Sequence, residues 1–389
     1  MFHLALLSLL RRPLSKAILL ALIAVSCALP VFLLQTVGGL YDGINRAVTP
    51  FPILVGDKGS AYQLVLNSVF LRDKPLGNME KEVGERLMAD SRAKAVYPLA
   101  FGDNYRGFRI VGTVKEIFDY APDKNGPWLS LAEGHLFEEE GDVVIGSETA
   151  RLTGLSVGDT FRSIHGNVSK GKEHQHPYRV AGILKEVKGP YDTAILADIH
   201  DIWEAHGKEA EAKEEVTALL VVPKGYKEAM LLLSSYQKEK NVQMVFPSQS
   251  IISLYAMVGQ TKDFWKVLVV FLLAVSLLTT LLSMYWSTLG RLSEIALLRA
   301  MGAGNKDIAR FLLSEESLLL LAGSLAGWLL GYLASLGAAS LIASHGAIVM
   351  DMAPDVRGLF VIPVLLIAGT AAAILPAWLI AKKDVAAYL

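Results

Sequence analysis

Apolar positions along this chain gather into four long runs, at 17–34, 264–289, 317–343 and 358–381. The third and fourth hold no charge, and the second holds only Lys266. A helix needs about 20 apolar residues to cross the hydrocarbon core of a bilayer. Each run is therefore predicted as a membrane-spanning helix. A core helix of a water-soluble domain would show charge on one face. The first run follows Arg11, Arg12 and Lys16, which also fits a cleaved signal peptide. No small-x-small site follows it, and Val31, Phe32, Leu33 and Leu34 continue the apolar stretch. The segment 24–27 resembles a lipoprotein box but lacks the large aliphatic residue at its first position. An uncleaved span is the expected outcome.

Between the first two runs the pattern shortens and alternates. Segments 95–99, 108–112, 142–146, 160–164, 178–184, 217–222 and 242–246 read as strands. Helices are predicted at 147–153, capped by Ser147, and at 224–238. Segment 166–177 is polar and reads as a loop. The tail of the first span at 35–46 and the segment 247–263 are expected to extend outward as helices. The predicted fold class is an α-helical membrane protein with four transmembrane helices and a large α+β domain with βαβ-like halves inserted between spans one and two. The boundaries are 1–40 (entry helix and first span), 41–262 (inserted domain, with a second lobe at about 116–205) and 263–389. The last part carries spans two to four and a helix at 290–304.

Charge sets the expected orientation. Segments 1–16, 290–313 and 382–389 carry nine Lys/Arg against three acids, Glu294, Asp307 and Asp384. Loop 344–357 has Arg357 as its only basic residue. The positive-inside rule then puts both termini in the cytoplasm and 41–262 outside. That domain has 26 basic and 30 acidic residues, net −4. The whole chain of 389 residues is near neutral at net −1, which argues against nucleic acid as a partner. One cysteine, Cys27, excludes an intramolecular disulfide.

The sequence has no GxxxxGK[ST] phosphate loop, and no HExxH, GxSxG or CxxC. The apolar runs hold few ionisable residues, so a relay of charges at mid-membrane is not expected. Energy for any work would come from a partner chain.

Between spans two and three lies the segment 291–308. Leu292, Ile295, Ala296, Leu298 and Arg299 share one stripe of its helix, with Arg291 and Glu294 at i, i+3. Gly302 would stop the helix, and Asn305 would cap the next. This segment is either an interfacial surface helix or a helix that docks into a partner's groove.

Residues 291–303 follow the pattern R-x-x-E-I-A-x-L-R-A-x-G-A. With four spans and a large domain between the first two, this resembles the FtsX-like, or MacB-like, permeases of ABC transporters. The closing segment 375–389 is similar to the family's, with Val385 where Pro is common, and 5–12 fits a short in-plane entry helix. The resemblance implies a bacterial inner-membrane homodimer bound to an ABC ATPase dimer that holds the ATP. It also implies mechanotransmission through spans one and two, with a periplasmic adaptor or substrate-binding protein as a further candidate partner. By motif match, Arg291, Glu294, Arg299 and Gly302 would form the ATPase contact, and the chain itself would not be an enzyme. The work would be export, extraction or handling of a substrate. The alternative is a scaffold that activates an extracytoplasmic hydrolase, as FtsX proper does.

Six histidines fall in 41–262. His174 and His176 would face one side of an extended segment, with His165 at the other end of the same loop. Imidazoles suit zinc or another transition metal, so these three are the candidate ligands, against the plainer reading of a solvated loop. Trp128 and Trp203 are expected in the core, with a groove for a peptide or lipidated cargo as the rival reading.

Overall fold

The computed structural model describes residues 13–124, 126–165, 177–206, 214–257, 260–289, 292–345, 349–350, 352–354 and 356–382. In chain order these form α1 (Pro13–Val48), β1 (Ile53–Asp57), α2 (Ala61–Ser68), β2 (Met79–Glu80), α3 (Lys81–Met88), β3 (Ala93–Tyr105) and β4 (Phe108–Thr113). Next come β5 (Leu131–Gly134), β6 (Asp142–Ile145), α4 (Ser147–Thr153), β7 (Thr160–Phe161), β8 (Ile164–His165), β9 (Tyr178–Leu184), β10 (Ile195–Asp198) and α5 (Ile199–His206). They are followed by β11 (Glu215–Val216), β12 (Ala218–Pro223), α6 (Tyr226–Tyr236), β13 (Val242–Val245), α7 (Pro247–Met257), α8 (Gln260–Leu289), α9 (Leu292–Ala300), α10 (Asn305–His345) and α11 (Val361–Lys382). The chain divides into two compact units. One is helical and takes the N-terminal part up to Leu40, Gln260–Ser344 and the segment from Met352 onward; the other is Tyr41–Gly259 with His345–Asp351.

The helical unit is built around α1. Three stretches, Pro13–Val48, Phe264–Leu282 and Asn305–Ile342, are long and apolar enough to cross a membrane, and Val361–Ala371 is a shorter apolar helix. Small residues let α10 approach α1 closely. A Cβ on Gly323 would meet Ile23, one on Gly327 the Ala24 carbonyl and Cys27, and one on Gly331 the Ala28 carbonyl. Spacing of four residues puts these glycines on one face, the small-residue packing used where lipid offers no hydrophobic drive. The paired numbers rise together, so α1 and α10 are parallel. Residue α11 partners fall as α1 numbers rise: Gly358, just before α11, faces Gln35, while Val361 and Leu365 pack with Val31 and Cys27, and Ala373 with Leu19 and Ile23. So α11 is antiparallel to α1. Helix α8 packs on α11 and its Ser276 hydroxyl donates to the Ser26 carbonyl at 2.6 Å.

The other unit is a mixed sheet in the order β13-β1-β12-β3-β4-β10-β6-β9-β5, with β7 on β9 and β8 on β3. Strand β3 joins its two halves. Ala93–Leu99 pairs with β12, and Ala100–Tyr105 with β4. Two pairs, β4/β10 and β6/β9, are parallel. Alternate residues such as Ile53, Val55, Leu219 and Val221 are fully buried under α3 and α6, which contribute Val83, Leu87 and Leu232.

Some expectations shift. Segment 160–164 is two short strands on different partners, because the chain leaves β9 at Phe161 and joins β3 at Ile164. Helix α4 is capped by Gly146, and Ser147 is its first residue, its hydroxyl donating to Asp192 at 3.0 Å. Helix α6 starts after Gly225 rather than at 224.

Candidate functional site

Helix α9 ends in a tight turn. Gly302 adopts φ +95°, a left-handed conformation that L side chains rarely hold. Its N–H donates to Arg299 O at 2.8 Å, and the Ala303 N–H to Leu298 O at 3.0 Å, which satisfies the last carbonyls. The next helix is capped by Gly304, not by Asn305. The Asp307 and Ile308 N–H groups donate to Gly304 O, and the Gly304 N–H donates to the Asp307 carboxylate at 3.3 Å. The Asn305 side-chain oxygen instead accepts from the Arg299 guanidinium at 3.1 Å. That bond spans the turn and ties α9 to the first turn of α10.

The two helices share a small core of Ile295, Ala296, Ile308, Phe311 and Leu312. This matches the apolar stripe read from the sequence, with Leu298 and Arg299 half-buried beside it. Away from that core, Leu297 on α9 and Met301 just after it are 57% and 69% exposed, and Lys306 and Arg310 on α10 are exposed. Two large exposed apolar side chains are suited to an apolar groove on a partner. Sequence reading missed Leu297 and Met301, because the pattern shows the buried stripe and leaves the outer face undefined. Glu294 stands one turn before Leu297 on α9. Arg291 lies outside the described residues.

A pair of charges was also missed. Lys16 Nζ lies 2.5 Å from Glu315, with side chains 9% and 1% exposed. It joins α1 to α10 within the helical unit. The sequence placed Lys16 among the flanking basic residues.

In the sheet unit, His165 is exposed at the end of β8, its Nδ1 3.3 Å from the buried Asp103 carboxylate. His174 and His176 lie outside the described residues. Among the described residues no group of three or more His, Cys, Asp or Glu side chains is placed to hold a metal ion. Trp203 rests on the core and donates to Glu215 O at 2.8 Å. Trp128 lines a cavity of about 550 Å³ whose walls are the end of α1 with the following turn (Arg46, Thr49, Pro50), residues 122–123 and 126–130, and segment 185–191. Phe51 meets Trp128 edge to face at a centroid distance of 5.2 Å, and Tyr191 lies tilted against it at 4.7 Å. Asp192 shapes the last wall: its carboxylate accepts from Val187 N at 2.8 Å, Gly189 N at 3.0 Å and the Ser147 hydroxyl. Burial raises its pKa above the usual carboxylate value, against the lowering effect of those bonds.

Residues 266–385, which include α9, the Gly302 turn, α10 and α11, match the family described as FtsX-like permease C-terminal. None of the curated proteins matches the chain in sequence. Among solved structures the chain is similar to the periplasmic region of MacB from Actinobacillus actinomycetemcomitans, at 13% identity and a TM-score of 0.36, over 54% of this chain and 95% of that one. It is also similar to the extracellular domain of the noncanonic ABC-type transporter YknZ from Gram-positive bacteria, at 15% identity and a TM-score of 0.32, over 50% of this chain and 98% of that one.

Proposed function

We infer that this chain, an FtsX/MacB-like permease by its region 266–385, is the membrane subunit of an ABC transporter and transmits the work of a separate ATPase to its sheet unit. In this reading four helices cross the bacterial inner membrane, both termini are cytoplasmic, and 41–262 lies outside. The chain works as a homodimer on an ATPase dimer. Arg291, Glu294, Arg299 and Gly302 belong to the ATPase contact, joined by Leu297 and Met301. The observation that supports it is the hairpin of α9 and α10. It is closed by its own core and by the Arg299–Asn305 bond, so a force on α9 enters the 41-residue helix α10 directly. Helix α10 lies along α1, a 36-residue helix whose end lines the Trp128 cavity.

The test is co-purification with a co-expressed ATPase. Leu297→Asp/Met301→Asp should abolish it while the chain stays in the membrane. Glu294→Lys should leave the fold intact and uncouple hydrolysis from function. Undiminished co-purification of the Leu297/Met301 variant, or full function of Glu294→Lys, would sink the assignment.

For the substrate, we propose that His165, His174 and His176 bind zinc or a similar metal. Asp103 supports this by engaging Nδ1 of His165, a common way to orient a ligating imidazole. Calorimetric titration of the full chain with zinc should show binding that His174→Ala/His176→Ala removes; equal binding by the variant refutes it.

A further inference from the structure

The seam between α1 and α10 has a second character at the end nearest the Gly302 turn. From Ile23 to Val31 it is held by small residues, Gly323, Gly327 and Gly331. Below that, Leu19 and Ile23 pack with Leu319, Leu320 and Ala373. At its foot the seam changes from apolar to ionic: Lys16 and Glu315, both almost fully buried and 2.5 Å apart. Glu316 beside them is only 5% exposed.

An apolar seam does not require this pair. Buried charges lose their hydration, and replacing such a pair by apolar residues of similar size is often neutral or stabilising. What the pair adds is sensitivity to position. A slip of one helical turn moves the partners about 5.4 Å apart and leaves two buried charges uncompensated. Leucines passing leucines incur no comparable cost. A buried polar contact that fixes register is the best-attested use of such groups.

Register matters here because of what each helix joins. Glu315 is on the helix that starts three residues after Gly302, and Lys16 is on the helix that ends at Val48 beside the cavity wall. We propose that Lys16 and Glu315 are positioning residues that lock α1 to α10, so that a push on the α9–α10 hairpin is delivered along α1 without slip. The proposal rests on the coupling reading above.

The experiment uses the full chain with its ATPase in lipid nanodiscs. Two quantities are read: the thermal midpoint, and the change on adding ATP in hydrogen exchange of segment 185–191. Lys16→Met alone should lower the midpoint. Lys16→Met/Glu315→Met should restore it, yet cut the ATP-dependent exchange change at least fivefold, with the ATPase still bound. The exchanged pair Lys16→Glu/Glu315→Lys should regain both. A role in folding alone predicts a full ATP response in the apolar pair, and that result overturns the lock while leaving the coupling reading in place. If the wild-type complex hydrolyses ATP with no change at 185–191, the coupling reading and the lock both fall. Should the Met pair not fold, Lys16→Leu/Glu315→Leu, also apolar, is read in the same way.

Discussion

At the scale of single residues, burial decides which charges matter. Asp201 sits in the first turn of α5, where the helix dipole favours an anion. Burial and the nearby Asp198, Glu140 and Glu204 outweigh that, and its pKa is pushed up to about 6 although the Gly141 N–H donates to it at 3.0 Å. A carboxyl raised in the folded state contributes stability below its unfolded pKa, near 4, and loses it as pH rises through about 6. The sheet unit should therefore unfold at a lower temperature at pH 7 than at pH 5. Asp201→Asn, which keeps the acceptor for Gly141, should recover about 1 kcal/mol at pH 7 after solvent screening. A thermal melt whose pH slope between 5 and 7 is unchanged by the substitution would refute this. Asp192 behaves differently, because three donors hold it. Asp192→Ala should cost about 3 kcal/mol by leaving two buried backbone donors unpaired, seen as a lower urea midpoint; a loss below about 1 kcal/mol would mean the loop rearranges. Neither residue was singled out from sequence. Nor was Lys16, which follows two other basic residues and meets an acid 299 positions away only after folding.

At the scale of elements, legibility followed periodicity and length. The long apolar helices and the α9–Gly302–α10 hairpin were read from the pattern, because about 20 uncharged residues and a glycine stop are strong local signals. Short elements were harder. Strand β1 follows two prolines, Pro50 and Pro52, and α2 is only eight residues, so neither has a period to count. Segment 160–164 looked like one strand, since a change of partner at Ser163 leaves no mark in hydrophobicity. The seam of Gly323, Gly327 and Gly331 was not read from the sequence, because glycines inside an apolar run do not name the helix they face. Its closeness gives a sharp expectation. Gly327→Val forces side-chain atoms into the Ala24 carbonyl and Cys27, and should cost about 3 kcal/mol or more of helical-unit stability. Gly337→Val on the same helix, where nothing lies within 4 Å, should cost far less. Equal losses of expression in the membrane fraction for the two variants would show that the seam is not the cause.

At the scale of the whole molecule, the directions of the helices constrain how the chain threads a bilayer. Parallel α1 and α10, and antiparallel α11, follow from the paired residues alone. In the proposed membrane arrangement two parallel helices cross in the same sense, so the chain returns between them through α8. The orientation proposed from the positive-inside count has the Gly302 turn inside. Both conclusions meet in one labelling experiment. The single cysteine, Cys27, is fully buried and should stay unlabelled by an impermeant maleimide. Gly304→Cys, at the exposed turn, should react only after the cytoplasmic membrane is opened. Asp123→Cys, on the exposed rim of the Trp128 cavity, should react on intact spheroplasts. If both react from outside, α8 does not cross. If both labels swap sides, the helix directions stand and the charge rule is what fails.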